Sequence, residues 1–422
     1  MRQGDLAAAV RGLLAAGLAL ALLAAPGAAR GGEPLFVIDV NYGLGSAVGT
    51  DHDLPRLIGD LINQEGAFSD LKTDGVPVYS GDLDYLGIEG AVLIDASAFG
   101  RSVKITIPST GAEETFTGAT LEEVENAVED WLKQGASDEW VAFLQQANAM
   151  SPLAFLSGNP RSSVALMAGG PYRRFGLDDS RSRFGYEAEV QRWGNFELRL
   201  DVGAGTIDAG GFGDLWSIDP TLTLAGDFGK TVGLSFSILT QYRNYDGAKS
   251  YDIGLELGLP VTVWRPEADR PCYWQLTPFV QAAGGASIDL AAGGLFMGGG
   301  LVSALAWNSG PFELLMANEI SYYGGIPIDD IGGYDFDTQL SQLVFKNGLQ
   351  GTWFPWSSVY FDVGLTFTNF VLDDANVAFY TSPTVGAGVQ LGRRVDLRLG
   401  YEGDFGDNYR GHSVRLKIDI FL

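Results

Sequence analysis

From Phe196 to the C-terminus, apolar and polar residues alternate along one stretch after another. In an extended chain Phe196, Leu198, Leu200 and Val202 point one way, and Glu197, Arg199 and Asp201 the other. The same period runs through Phe184 to Val190, Tyr251 to Val261, Val359 to Phe367, Val395 to Tyr401 and Val414 to Leu422. A period of two predicts strands. Many stretches run to ten or more residues, whereas strands of a soluble sandwich average about five or six. About ten residues, tilted near 45°, cross a hydrocarbon core. The pattern therefore predicts an antiparallel transmembrane β-barrel, apolar side to lipid and charged side to a wet lumen. Fourteen strands are expected, near 163–175, 183–193, 195–206, 215–226, 231–244, 250–264, 272–284, 294–307, 311–323, 338–353, 357–369, 377–391, 395–404 and 410–422; twelve is the alternative. The first of these alternates poorly and contains Pro171, so a short helix inside or beneath the barrel is its alternative.

The pattern changes N-terminal to about residue 160. Leu54 to Ile62 places Leu and Ile on one helical stripe, with Asp53 as cap and Pro55 in the first turn. Thr120-Leu121-Glu122-Glu123 is a capping box opening a helix that carries Val124, Ala127, Val128, Trp131 and Leu132. A further helix follows Ser137, bearing Trp140, Val141, Leu144 and Ala147, and strands are expected at 88–94 and 103–108. The breaker-rich Ser157-Gly158-Asn159-Pro160 closes this region. A small α/β domain over 30–160, preceding a barrel over 161–422, is the organisation expected.

Residues 1–29 add a compartment. Two arginines, an apolar run from Gly12 to Ala25 and the small residues of Pro26-Gly27-Ala28-Ala29 follow the order of a secretory signal, with cleavage expected after Ala29. The single cysteine, Cys272, forms no intramolecular disulfide. A net charge of −25 excludes the basic surface that nucleic acid requires, and gives no basic patch for anionic headgroups.

Aromatic residues collect where strands end: Trp193, Phe196, Tyr242, Tyr245, Trp264, Tyr273, Trp274, Trp307, Phe312, Tyr322, Tyr323, Trp353, Phe354, Trp356 and Tyr401. This is where an interfacial girdle sits. With the signal, the alternation and the terminal SVRLKIDIFL, the chain resembles the outer-membrane β-barrel class at the level of porins, over about its last 260 residues. The resemblance implies an outer-membrane location, contact with outer-membrane lipid and insertion by the barrel-assembly machinery. Short connections tend to alternate with longer ones rich in Gly and Asp. With short turns periplasmic and an even strand count, the N-terminal domain is expected in the periplasm, where it would dock a periplasmic protein partner or plug the barrel.

Little in the sequence points to catalysis. His52 and His412 are the two histidines; His412 and its neighbour Ser413 project to opposite faces of a strand and make no nucleophile–base pair. No metal-ligand spacing occurs, and Asp329, Asp330, Asp335 and Asp337 read as a solvated acidic loop. No enzyme, metal or cofactor is expected. The candidate functional residues are lumen charges: Glu187, Glu189, Glu197, Asp201, Asp252, Glu256, Asp362, Asp396, Glu402 and Asp419, opposed by Arg199, Arg243, Lys346, Arg398, Arg415 and Lys417. The expected function is a porin-like channel for small polar solutes. The alternatives are a plugged or structural outer-membrane protein and an autotransporter-like barrel that carries its N-terminal domain outward.

Overall fold

The structure is a computed structural model. It describes residues 36–177 and 195–421 apart from 43–44, 52, 74–77, 98–101, 134–137, 158, 210–213, 229–230, 246, 265–271, 288, 291, 332–333, 337–339, 357, 373–374, 393–394 and 408. The signal expected at 1–29 and the strand expected at 183–193, with Trp193, Glu187 and Glu189, lie outside the described residues, as does His52.

The N-terminal part is a six-stranded antiparallel sheet covered on one face by helices. Its strands are β1 (Phe36–Tyr42), β2 (Gly45–Asp51), β3 (Val78–Tyr85), β4 (Ile88–Ser97), β5 (Ser102–Ile107) and β6 (Ala112–Thr117), in the order β2-β1-β3-β4-β5-β6. Helix α1 (Leu54–Asn63) and the short α2 (Ser69–Thr73) follow β2; α3 (Leu121–Lys133) and α4 (Asp138–Met150) follow β6. The starts of α1 and α3 follow the capping chemistry of the sequence. Asp53 accepts from the Arg56 N–H at 3.1 Å, and Thr120 accepts from the Glu123 N–H at 3.1 Å while Glu123 accepts from the Ala119 N–H. Phe36, Ile38, Val40, Leu83, Ile94 and Ile105 from the sheet bury against Leu57, Leu61, Val124, Trp140 and Phe143.

The C-terminal part is a closed antiparallel barrel of twelve staves. They are β7 (Asn195–Asp208), β8 (Asp214–Phe228), β9 (Val232–Tyr245), β10 (Ala248–Gly258) continued by β11 (Val261–Trp264), β12 (Cys272–Ser287), β13 (Ala292–Ser309), β14 (Phe312–Ile326), β17 (Ser341–Trp356), β18 (Val359–Leu372), β19 (Phe379–Leu391), β20 (Val395–Gly406) and β21 (Tyr409–Phe421). A small hairpin, β15 (Ile328–Ile331) and β16 (Tyr334–Phe336), stands on the connection before β17. Closure comes from β21 pairing with β7, Leu416 opposite Val202 and Ile418 opposite Leu200. Twelve staves replace the fourteen expected first. The sheet closes without the 183–193 stretch, and the 163–175 stretch is helix α5 (Ser163–Pro171) running into a π-helical turn (Tyr172–Leu177). The Leu259-Pro260 pair interrupts the fourth stave, since Pro brings no N–H to the ladder.

Outside, the barrel is apolar. Ile253, Leu255, Leu257, Val280, Met297, Leu349 and Val363 are exposed, while the residues between them face inward. Two aromatic belts flank this band. One holds Phe196, Trp264, Trp274, Trp307, Phe312, Trp353 and Trp356; the other holds Tyr251, Tyr322, Phe379, Tyr401 and Phe405. Tyr245 and Tyr323, expected in the girdle, are instead buried inside, because strand alternation sends Tyr323 inward where Tyr322 goes out. Free apolar area of this extent around a closed sheet is stable only in lipid.

The two barrel ends differ. The terminal end carries the start of β7, the end of β21 and the tight connections 310–311 and 357–358. The loop end carries the longer connections 209–213, 327–340 and 373–378 beside the tight 246–247 and 407–408, while the terminal end has one longer connection, 265–271. The N-terminal domain sits on the loop end. The Leu54 N–H donates to the Asp289 carbonyl at 3.0 Å, Tyr85 Oη to the Leu290 carbonyl at 3.0 Å, and Asn376 Nδ2 to the Met150 carbonyl at 3.1 Å. From Ser151 the chain enters the barrel, and residues 151–177 form a strap that fills much of the lumen on the way to the terminal end.

Candidate functional site: the strapped lumen

The strap folds as it does because its surroundings are a barrel wall on every side. Helix α5 is made of small and apolar residues, with Val164, Ala165, Met167 and Ala168 all buried and no polar stripe. Ser162 caps it by accepting from the Ala165 N–H at 3.3 Å. An eight-strand barrel is filled by its own side chains; twelve strands leave room for a slender helix. Glycines in the wall make notches for its larger side chains. A β-carbon on Gly258 would lie 2.5 Å from Phe175 Cζ, and one on Gly348 would collide with the Tyr172 hydroxyl.

Arginines hold the strap at three depths. Nearest the loop end, Arg243 of β9 is fully buried and donates to the strap carbonyls of Phe155 at 3.0 Å and Arg161 at 2.8 Å. It also bonds Ser250 and Asp252, and Ser163 of the strap donates to the same Asp252 carboxylate at 2.5 Å. Arg161 lies between Asp219 at 3.8 Å and Asp404 at 3.5 Å. Deeper, Arg173 pairs with Glu402 at 3.1 Å and Arg174 grips Glu256 through Nε at 2.9 Å and Nη2. Nearest the terminal end, Arg199 of the wall donates to the Arg174 carbonyl at 3.2 Å.

The wall charges named from the sequence fall into these clusters. Glu197, Arg199 and Asp419 join, with Lys417 on Asp419 at 3.1 Å. Arg415 bridges Asp201, Asp219 and Glu402. Arg398 forks onto Asp362 at 2.9 and 2.6 Å, and Tyr360 donates to Asp396 at 3.0 Å. Asp252 and Glu256 hold the strap. Lys346 lies opposite Glu319 of β14, its ammonium 5.8 Å above the Tyr172 ring.

Sequence reasoning missed Arg161, Arg173, Arg174, Asp219, Glu319 and Asp404. The signal available was arginines set in an apolar, poorly alternating segment; three cations there require carboxylates nearby. His412 faces outward, accepting or donating to the Tyr401 hydroxyl at 2.6 Å, while Ser413 is buried inside. The side chains of Asp329, Asp330, Asp335 and Asp337 lie outside the described residues.

No family model matches the sequence, and no curated relative matches it. Solved structures match over the barrel part. The translocator domain of the autotransporter NalP from Neisseria meningitidis is 14% identical, covering 61% of this chain and 97% of its own, with a TM-score of 0.41. An outer-membrane channel from Pseudomonas putida F1 is 15% identical, covering 56% and 98%, with a TM-score of 0.42. The NanC porin is 13% identical, covering 53% and 100%, with a TM-score of 0.36. With its closed sheet, apolar exterior and paired aromatic belts, the C-terminal part of this chain is a barrel of the outer-membrane class.

Proposed function

We propose that this chain is an outer-membrane protein whose barrel displays its own N-terminal α/β domain at the cell surface, an autotransporter-like arrangement. One observation carries the reading. The strap runs through the lumen from a domain docked on the loop end to the terminal end where the barrel begins and finishes. Bacterial barrels keep short turns in the periplasm and long connections outside. Applied here, that rule puts the terminal end in the periplasm and the domain outside. The parity argument from sequence counted fourteen passages, the 163–175 stretch among them, and so expected a periplasmic domain. Among the described residues twelve staves and the strap make thirteen, and an odd number puts the domain opposite the C-terminus. Outer-membrane lipid covers the apolar band under this reading, and the barrel-assembly machinery inserts it.

Protease added to intact cells tests the reading. It is expected to remove epitopes in 36–150 while the barrel resists; a domain protected until the outer membrane is broken would overturn it. A porin-like channel for small polar solutes keeps one observation in its favour. A small cleft lies beside the strap, lined from β17 to β21 by Lys346, Gln350, Thr366, Ser382, Glu402 and Arg415.

A further inference from the structure

The N-terminal sheet ends in an unguarded strand. β2 stands first in the order β2-β1-β3-β4-β5-β6, and among the described residues it pairs with β1 alone, over seven residues without a bulge. A row of N–H and C=O groups along its other edge therefore has no ladder partner among those residues. Sheet edges are ordinarily blunted by charge, Pro or a bulge. β6, at the opposite edge, carries Glu113 and Glu114. β2 reads GSAVGT from Gly45 to Thr50, and Val48 at its centre is 52% exposed.

The surroundings of this edge select what can lie on it. On the open face Asp39 and Asp82 stand directly opposite each other across β1 and β3, and Asp84 and Asp95 share that face. Like charges so placed repel, and a cation laid over them relieves the repulsion. On the helix side the Phe68 ring packs on the strand, where a β-carbon on Gly49 would collide with it, and the exposed Glu65 and Asp70 flank Phe68 in sequence. Residues 36–150 hold twenty Asp and Glu against five Lys and Arg. A second copy of this chain would bring the same charge to the edge and be repelled, whereas a basic strand would be attracted.

We propose that β2 takes up an extended basic segment of another protein as a seventh strand of this sheet. Backbone hydrogen bonds to the free edge hold the segment, and its alternate Lys or Arg side chains run over Ser46, Val48 and Thr50 toward the carboxylates. The inference needs the edge of the sheet and not its side of the membrane, so its failure would leave the display of the domain untouched.

Fluorescence anisotropy of the labelled heptapeptide Lys-Thr-Lys-Val-Lys-Thr-Lys, titrated with the refolded full-length protein in non-ionic detergent, tests it. Saturable binding of one peptide per chain is expected. A counterpart with Glu in place of Lys loses the charge match, and one N-methylated at every peptide bond keeps the charge but cannot donate to a ladder; each should bind about tenfold more weakly or worse. Val48→Lys restores the usual guard of an edge and should weaken the peptide by about tenfold or more, while Thr115→Lys on β6 should leave it unchanged. No saturable binding, or equal binding of the plain and N-methylated peptides, overturns the proposal. So does loss of binding in Thr115→Lys with none in Val48→Lys, or a dimer of the chain that Val48→Lys dissociates, which would assign the edge to a second copy. The comparison of the three peptides on the unaltered chain decides the question even where a variant does not fold.

Discussion

Truncation to residue 178 is expected to open a pore that truncation to residue 161 leaves closed. The domain over 36–150 sits on the barrel mouth, but it is the strap that occupies the lumen. A chain beginning at residue 161 keeps α5, Arg161, Arg173 and Arg174, and with them the grip on Asp219, Glu402 and Glu256. A chain beginning at residue 178 loses all of these. Twelve empty staves enclose a lumen wider than the side-chain-filled eight, so single-channel conductance in planar bilayers should rise by roughly tenfold or more. Selectivity should follow. The buried wall charges comprise twelve carboxylates and six cations among the described residues, and the strap had supplied three arginines against them. An opened pore should therefore prefer potassium to chloride, as rings of one sign dictate. Equal conductance from the two truncations would mean that the strap does not close the lumen.

Replacing Arg243 is expected to have the largest effect of any single side chain. Its guanidinium is completely buried, with two strap carbonyls, two hydroxyls and the Asp252 carboxylate as partners, and lies 4.4 Å above the Phe155 ring. Arg243→Met leaves Asp252 buried with only the Ser163 hydroxyl. Breaking a buried pair from one side costs about 3–5 kcal/mol, and replacing both partners with apolar residues costs far less. Urea unfolding in detergent should show the large loss in Arg243→Met and a recovery of most of it in Arg243→Met/Asp252→Leu. Because two of the bonds go to strap backbone, both variants should also show more frequent open events in bilayers. A single variant no less stable than the double would contradict this account of the strap's upper anchor.

The barrel was legible because its period is local. Each stave faces lipid on one side and the lumen on the other, so every second residue reports its environment, and Glu197, Arg199 and Asp201 stand inside for the reason the pattern suggests. The caps of α1 and α3 were legible because a cap acts within four residues. The strap was not. A helix enclosed on all sides has no polar face, so α5 carries no helical period, and its Ala and Gly content reads as a poor strand. Reading it as a stave, with the 183–193 stretch as another, gave fourteen passages where the described residues show twelve staves and one lumen crossing. The ion pairs were illegible for a different reason. Alternation says which charges face inward, but Arg174 reaches Glu256 82 positions along the chain and Arg415 reaches Asp219 196 positions back, and only the closed sheet and its register decide such partners.

The central claim is that the chain crosses the lumen, so that the N-terminal domain and the C-terminus lie on opposite sides of the membrane. The lone cysteine makes a direct test. Cys272 starts β12 at the terminal end, and Ser80 is exposed on the open face of the N-terminal sheet. A membrane-impermeant maleimide applied to intact cells should label a Ser80→Cys variant at once. Cys272 in the unaltered chain should stay unlabelled until the outer membrane is permeabilised. Protection of the Ser80→Cys position on intact cells, released together with Cys272 on permeabilisation, would put both ends on one side and contradict the account.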